Sequence, residues 1–279
     1  MSDYLMRDQA PLSADQWEKI DNTVVEVARQ VLVGRRFIHI YGPLGAGVRT
    51  ILLNQLGGIG AGVIDVTGET EAEPVHVADR KAMALLTIHR DFRLLWQDIE
   101  ASKQFGLPLD TSTAAAAAYY CAMAEDDLVL NGTQGHEGLL TATGRTTLPM
   151  KDWAEQGNAF ADVVAATAVL QQAGFGGPYV LVVSPKRYAD MNRLYGNSGR
   201  LELNQVRNIA TEGVYQSRVM PDNKALVVSV GVQNLDLAIA QDLITAYAES
   251  SNLNHTFRVF EVLALRIKRP GAICTLEMQ

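Results

Sequence analysis

Residues 35–53 read RRFIHIYGPLGAGVRTILL. The apolar run Phe37–Tyr41 predicts a strand over 36–41 that empties into a glycine-rich turn, Gly42-Pro43-Leu44-Gly45-Ala46-Gly47. The outline is close to a phosphate-binding loop, which needs G-x-x-x-x-G-K-[ST] so that lysine reaches the phosphates and the hydroxyl holds the metal. Gly42 and Gly47 have that separation, but Val48 stands where lysine should, and Arg49 and Thr50 are displaced by one place. The segment that should open as a helix and supply the anion site is TILLNQLGGIG, broken by glycines within two turns. Asp65 in VIDV is a weak candidate for the metal-binding aspartate. The stretch therefore reads as a hinge at which the chain changes direction.

The segment beyond the hinge supports this. Residues 42–84 carry Gly42, Gly45, Gly47, Gly57, Gly58, Gly60, Gly62 and Gly68, with an acidic cluster at Glu69, Glu71 and Glu73. Short β-like pieces, Val63–Val66 and Val75–Val77, lie inside. Such a segment cannot pack a core by itself, and so long an arm within one domain implies that it reaches something else.

Elsewhere the local signals are conventional. Ser13-Ala14-Asp15-Gln16 is a capping box. It opens a helix whose apolar stripe is Trp17, Ile20, Val24, Val27 and Val31, with Gly34 as the stop. A second helix is expected over 112–130, closing at Asn131-Gly132, and a third from Asn158 to Gly174. Residues 179–183 read as a buried strand, followed by Ser184 as N-cap and Pro185 at the first helical position. KALVVSV, LDLAIA and FRVFEVLALRIKRPGAICTLE read as strands. The order gives an α+β chain that leaves one region and returns to it.

Composition excludes several classes. A net charge of −7 over 279 residues argues against binding that depends on nucleic-acid phosphates. The two cysteines, Cys121 and Cys274, are too few for a disulfide scaffold and read as buried thiols. The N-terminus is polar and acidic with no signal-peptide core, and no apolar run approaches the roughly 18 residues that would predict a spanning helix. The expected setting is the cytoplasm, away from membranes. The five histidines show no metal-ligand spacing, and GNSGR lacks the G-x-S-x-G spacing of a serine hydrolase. Glu125-Asp126-Asp127 reads as the solvated end of its helix, with an interface salt bridge as the alternative role for Glu125. No catalytic constellation, metal site or cofactor is expected.

The whole chain resembles the encapsulins, shell proteins of nanocompartments with the Hong Kong 97-type phage major capsid fold. The similarity runs through APLSADQWEKIDNTV and VGRRFIHIYGPLGAG, then RDFRLLWQDIEASK and EDDLVLNG. It continues through GPYVLVVSPKRYADMNRLY, GVYQS, NLDLAIAQDL and NHTFRVFEVLALRIKRPGAICTLE. YGPLGAG and RIKRPGAICTLE are similar to a branch whose members often enclose ferritin-like, iron-oxidising cargo. A phage or prophage major capsid protein is the alternative, and a hydrolase a more distant one.

The resemblance implies a P-domain from 1–41, 85–150 and 245–279, an E-loop over 42–84 and an A-domain over 151–244. It makes Gly42, Pro43, Gly45 and Gly47 the E-loop hinge. It implies self-association in multiples of sixty copies and capture of cargo by a C-terminal targeting peptide. The implied groove comprises Val24, Val27, Val31, Arg35 and His39, with Leu235, Asp236 and Leu237 opposite. The implied five-fold pore loop is Leu194, Tyr195, Gly196, Asn197, Ser198, Gly199 and Arg200.

Overall fold

In the computed structural model, which describes residues 3–58, 60–196 and 199–278, the capping box forms as the sequence requires. Gln16 N–H donates to Ser13 Oγ at 3.3 Å, and Ser13 N–H donates to Gln16 Oε1 at 2.9 Å. The helix it opens, α1 (Ala14–Val31), buries Trp17, Ile20, Val24 and Ala28.

The expected strand over 36–41 is a correction. The chain makes a 3-10 turn at Gly34–Arg36, and only Ile40–Tyr41 (β1) is strand. The cause lies on another helix. Both carboxylate oxygens of Asp126 are taken by the backbone N–H groups of Val33 and Gly34, at 2.9–3.0 Å. That capture tightens the backbone, so consecutive Phe37 and Ile38 are both buried, which an alternating half-buried strand would not allow.

Beyond β1 the arm leaves as an antiparallel pair, β2 (Thr50–Gly57) and β3 (His76–Ala84), with Thr50 opposite Ala84. Among the described residues between them no strand forms, so the β-like reading of Val63–Val66 does not hold. Ile64 and Val66 are fully exposed in the single chain. The chain returns as β4 (Leu86–Leu94), then α2 (Trp96–Phe105) and α3 (Ser112–Asn131). A small hairpin, β5 (Gly132–Thr133) and β6 (His136–Glu137), and β7 (Thr146–Pro149) lead to α4 (Asn158–Gln172). Next come β8 (Tyr179–Val183), α5 (Pro185–Met191), α6 (Glu202–Ile209), β9 (Gly213–Gln216) and β10 (Lys224–Ser229). A long hairpin, β11 (Leu235–Ser251) and β12 (Asn254–Ile267), precedes the last strand, β13 (Ile273–Glu277).

Two sheets organise these elements. One has the order β1-β11-β12-β4, the other β7-β13-β10-β8-β9. β8 is buried on both faces, as its continuous apolar run requires. Val180 and Val182 share a core with Leu237 and Leu263 of the first sheet. Leu181 and Val183 instead pack with Trp153, Val163 and Leu170 beside α4. The sheets cut across the expected domain bounds. The 244/245 boundary falls inside β11, and β13, expected with the first region, pairs with β10 in the second sheet. The run FRVFEVLALRIKRPGAICTLE is therefore two strands, separated where Pro270 starts a 3-10 turn.

Candidate functional site: the α1 face, the arm exit and the 194–200 loop

The residues expected to form a peptide groove divide into separate environments. Val24 is buried with Trp17, Ile20, Phe257 and Val259 and presents no surface. Leu235 and Leu237 are likewise core residues. Asp236 is buried and already neutralised, with Arg266 Nε and Nη2 donating to its two oxygens at 2.6 and 2.7 Å, and Lys268 Nζ at 2.6 Å. A groove containing all of these is not formed, because 235–240 lies between β1 and β12 with both faces covered. LDLAIA alternates poorly, and that was the available sign.

Val27 and Val31 are half-buried and line a cavity of about 750 Å³ between α1, α3 and β9. Tyr119, Met123 and Tyr215 face them across it. His39 is exposed, with its carbonyl accepting from Leu237 N–H at 2.9 Å.

Arg35 belongs to an internal charge cluster that the sequence reading missed. Its Nε donates to Glu125 Oε1 at 2.8 Å, and Nη2 donates to Glu125 Oε2 at 2.8 Å and Glu261 Oε2 at 2.7 Å. Nη1 donates to Asp242 Oδ1 at 2.6 Å. Burial alone would lower the Arg35 pKa, but the hydrogen bond and charge of Glu125, then the charge of Glu261, hold it above its ordinary value. Burial, then the charge of Glu125, pushes Glu261 well above the carboxylate range. Burial also raises Asp126 to about 7, against the hydrogen bonds from Gly34 and Val33. The solvated-end reading of Glu125-Asp126 is thus corrected, since the two side chains are 0% and 1% exposed. A charged pair following an alanine-rich helix face was the signal, and its position on α3 against Gly34 is what buries it.

At the arm exit, Gly42 and Gly45 have φ of 148° and 106°. Leu44 N–H donates to Ile239 O at 2.9 Å, and Gly45 N–H to Ala240 O at 3.0 Å. A Cβ on Gly42 would lie 2.3 Å from Ile239 O, so the close approach of the exit to β11 requires glycine. The Gly42–Pro43 peptide is cis. Gly47 differs, having no left-handed φ and open space around it. The chain then enters β2 rather than a helix, which removes the phosphate-loop reading.

The 194–200 loop closes on itself between α5 and α6. Leu194 bridges to Leu201, Tyr195 N–H donates to Arg200 O at 2.8 Å, and the Tyr195 ring lies 5.8 Å from that of Phe160. Gly196 and Gly199 are left-handed, at φ 54° and 66°. Asn197 and Ser198 lie outside the described residues. Burial raises the thiols of Cys121 and Cys274 to about 12 and 11, so neither is a nucleophile at neutral pH. Among the described residues no group of three or more His, Cys, Asp or Glu is placed to hold a metal, and no helix is long and apolar enough to cross a membrane.

Residues 1–264 match the family described as encapsulating protein for peroxidase. The chain belongs to the encapsulin family. This encapsulin is 45% identical to the type 1 encapsulin shell protein EncA of Myxococcus xanthus, over 99% of this chain and 97% of that one. It is 43% identical to a diheme-cytochrome-encapsulin shell fusion protein of Kuenenia stuttgartiensis, over 95% of this chain and 74% of the relative. Its fold matches the virus-like particle from Pyrococcus furiosus with a TM-score of 0.77 at 18% identity, covering 94% and 99% of the two chains. The Hong Kong 97-type capsid fold expected from the sequence is therefore the fold of this chain. An encapsulin shell protein is structural and capsid-like, not an enzyme.

Proposed function

We propose that this chain assembles in multiples of sixty copies into a closed icosahedral nanocompartment in the cytoplasm, enclosing a cargo enzyme. The observation that carries the reading is the arm. It leaves β1 alongside β11 on a backbone path that Gly42 and Gly45 permit, and it leaves Leu52, Leu56 and Val63 about half exposed and Ile64 and Val66 fully exposed in the single chain. Apolar area of that extent favours cover by a neighbouring copy, and repetition of one such contact around a closed symmetry stabilises the whole. In domain terms the arm, 42–84, is the E-loop. The first sheet with α1 and α3 forms the P-domain, and the second sheet with α4–α6 forms the A-domain, which takes β13 as its own.

Cargo is proposed to dock by a C-terminal targeting peptide on the exposed α1 face, where Val27 and Val31 supply the apolar contacts and His39 stands beyond the helix end. Val24, Leu235 and Leu237 contribute by packing only, and Arg35 and Asp236 by holding the fold. A ferritin-like, iron-oxidising cargo follows from the resemblance of YGPLGAG and RIKRPGAICTLE, whereas the Kuenenia relative is itself a fusion to a diheme cytochrome. The 194–200 loop is proposed to surround the five-fold pore.

Expressing the chain with its native neighbouring proteins tests the docking surface. Val27→Glu with Val31→Glu should give particles of wild-type size that lack the co-purifying cargo. Cargo retained at wild-type level in those particles counts against the α1 face.

A further inference from the structure

The cavity beside α1 has a second wall whose chemistry is not that of an apolar peptide site. Arg36, Arg207 and Arg218 line it, and among the described residues none of the three is paired with a carboxylate. Each is instead tethered by neutral acceptors, Arg36 by two backbone carbonyls, those of Leu32 and Gln30. Arg218 Nη1 donates to Tyr119 Oη at 2.8 Å, Arg207 Nη2 to Tyr188 Oη at 2.9 Å, and Arg36 Nε to Leu32 O at 3.0 Å. A guanidinium has five N–H donors, so most of this capacity is unspent. The acid on the wall, Asp126, has both oxygens committed to Val33 and Gly34. The lining is thus net positive whichever protonation state Asp126 adopts, in a chain whose own charge is −7.

Flat apolar surface adjoins these donors. The Tyr215 ring is stacked on Phe37, with centroids 6.3 Å apart and planes 16° apart, and the Arg36 guanidinium lies 5.8 Å above it. Tyr119 and Met123 continue the surface from α3. A volume of about 750 Å³ is within the range that small-ligand sites occupy.

We propose that this cavity binds a phosphate-bearing ligand with a flat ring, of the nucleoside diphosphate class. Arg207 and Arg218 fork the phosphate oxygens, a geometry that guanidinium supplies and ammonium does not. The Tyr215 and Tyr119 surfaces take the ring. The site goes beyond cargo capture: it shares the cavity with Val27 and Val31 of α1, but the proposed phosphate donors Arg207 and Arg218 stand on α6 and just after β9.

Equilibrium dialysis of the purified full-length protein against ADP, pyrophosphate and adenosine tests this. The variants are Arg207→Ala with Arg218→Ala, and Arg29→Ala, an exposed arginine of α1 outside the cavity. The expected result is saturable ADP binding that weakens with salt, is lost at least tenfold in the double variant and is unchanged in Arg29→Ala. Pyrophosphate should bind about tenfold more weakly than ADP, and adenosine more weakly still. Equal affinity for ADP and pyrophosphate overturns the ring seat. Absence of saturable binding of either phosphate, full retention in the double variant, or an equal loss in Arg29→Ala overturns the site.

Discussion

Arg35 shows why a single residue in this chain is easily misassigned. Its sequence position suggests a ligand-facing charge at the end of α1, but it joins the 34–36 turn to α3, β11 and β12 through Glu125, Asp242 and Glu261. Replacing it by alanine would leave the buried Glu125 carboxylate without its counter-ion and Glu261 without its donor, and breaking comparable buried pairs costs about 3–5 kcal/mol. Arg35→Ala is therefore expected to lower the urea midpoint of the chain or prevent its accumulation. A midpoint unchanged from wild type would contradict the bridging role. The same cluster sets a pH dependence. Asp126 and Glu261 have folded pKa values raised above 3.8 and 4.5, so the folded chain binds more protons than the unfolded one over that interval. Their contribution is fully present below those ordinary values and is lost as pH rises, for Asp126 through about 7. Asp126→Asn and Glu261→Gln should each flatten the fall in urea midpoint between pH 5 and 8, and an unaltered slope in both would refute the assignment.

Among the elements, two small changes at the arm exit make opposite predictions, and the β11–β12 turn makes a third. Gly42→Ala places a Cβ 2.3 Å from Ile239 O and should destabilise the exit by more than about 1 kcal/mol, redirecting the arm. Gly47→Ala, in open space at an ordinary φ, should leave both folding and particle yield unchanged. Equal effects of the two, read by size-exclusion chromatography, would show that the exit geometry is not fixed by Gly42. In the turn, Leu253 sits at φ 67°, a conformation that costs an L-residue roughly 1–2 kcal/mol. Leu253→Gly relieves that strain but loosens the unfolded chain, for a net gain of less than about 1 kcal/mol in urea titration. Elements with local signals were legible in the sequence: the Ser13 box, the Asn131-Gly132 stop and the Ser184-Pro185 start all stand where the residues place them. Elements fixed by distant partners were not. The 36–41 segment is bent by Asp126, far along the chain, and the burial of 235–240 follows from β1 pairing along its edge and from Leu235, Leu237 and Ile239 packing on the second sheet, both distant in sequence. The candidate groove divides for the same reason, since whether Val24 or Val27 faces solvent depends on which part of α1 the β12 core covers.

The whole molecule carries two imbalances that a single copy does not resolve. One is the arm, with Ile64 and Val66 fully exposed. The other is the four-stranded sheet, whose edge strand β4 has β12 on one side and an open ladder on the other. Unpaired edges and exposed apolar residues are liabilities in a monomer and contact surfaces in an assembly. Replacing residues 58–75 by a short Asn-Gly turn should leave β2 and β3 paired and the two sheets folded while abolishing closed particles, which dynamic light scattering would read as a loss of the large species. Electron microscopy of the purified wild-type protein tests the shell assembly most directly. Closed particles of uniform diameter with icosahedral symmetry are the expected result, and a population of monomers or small open oligomers at high protein concentration would contradict it.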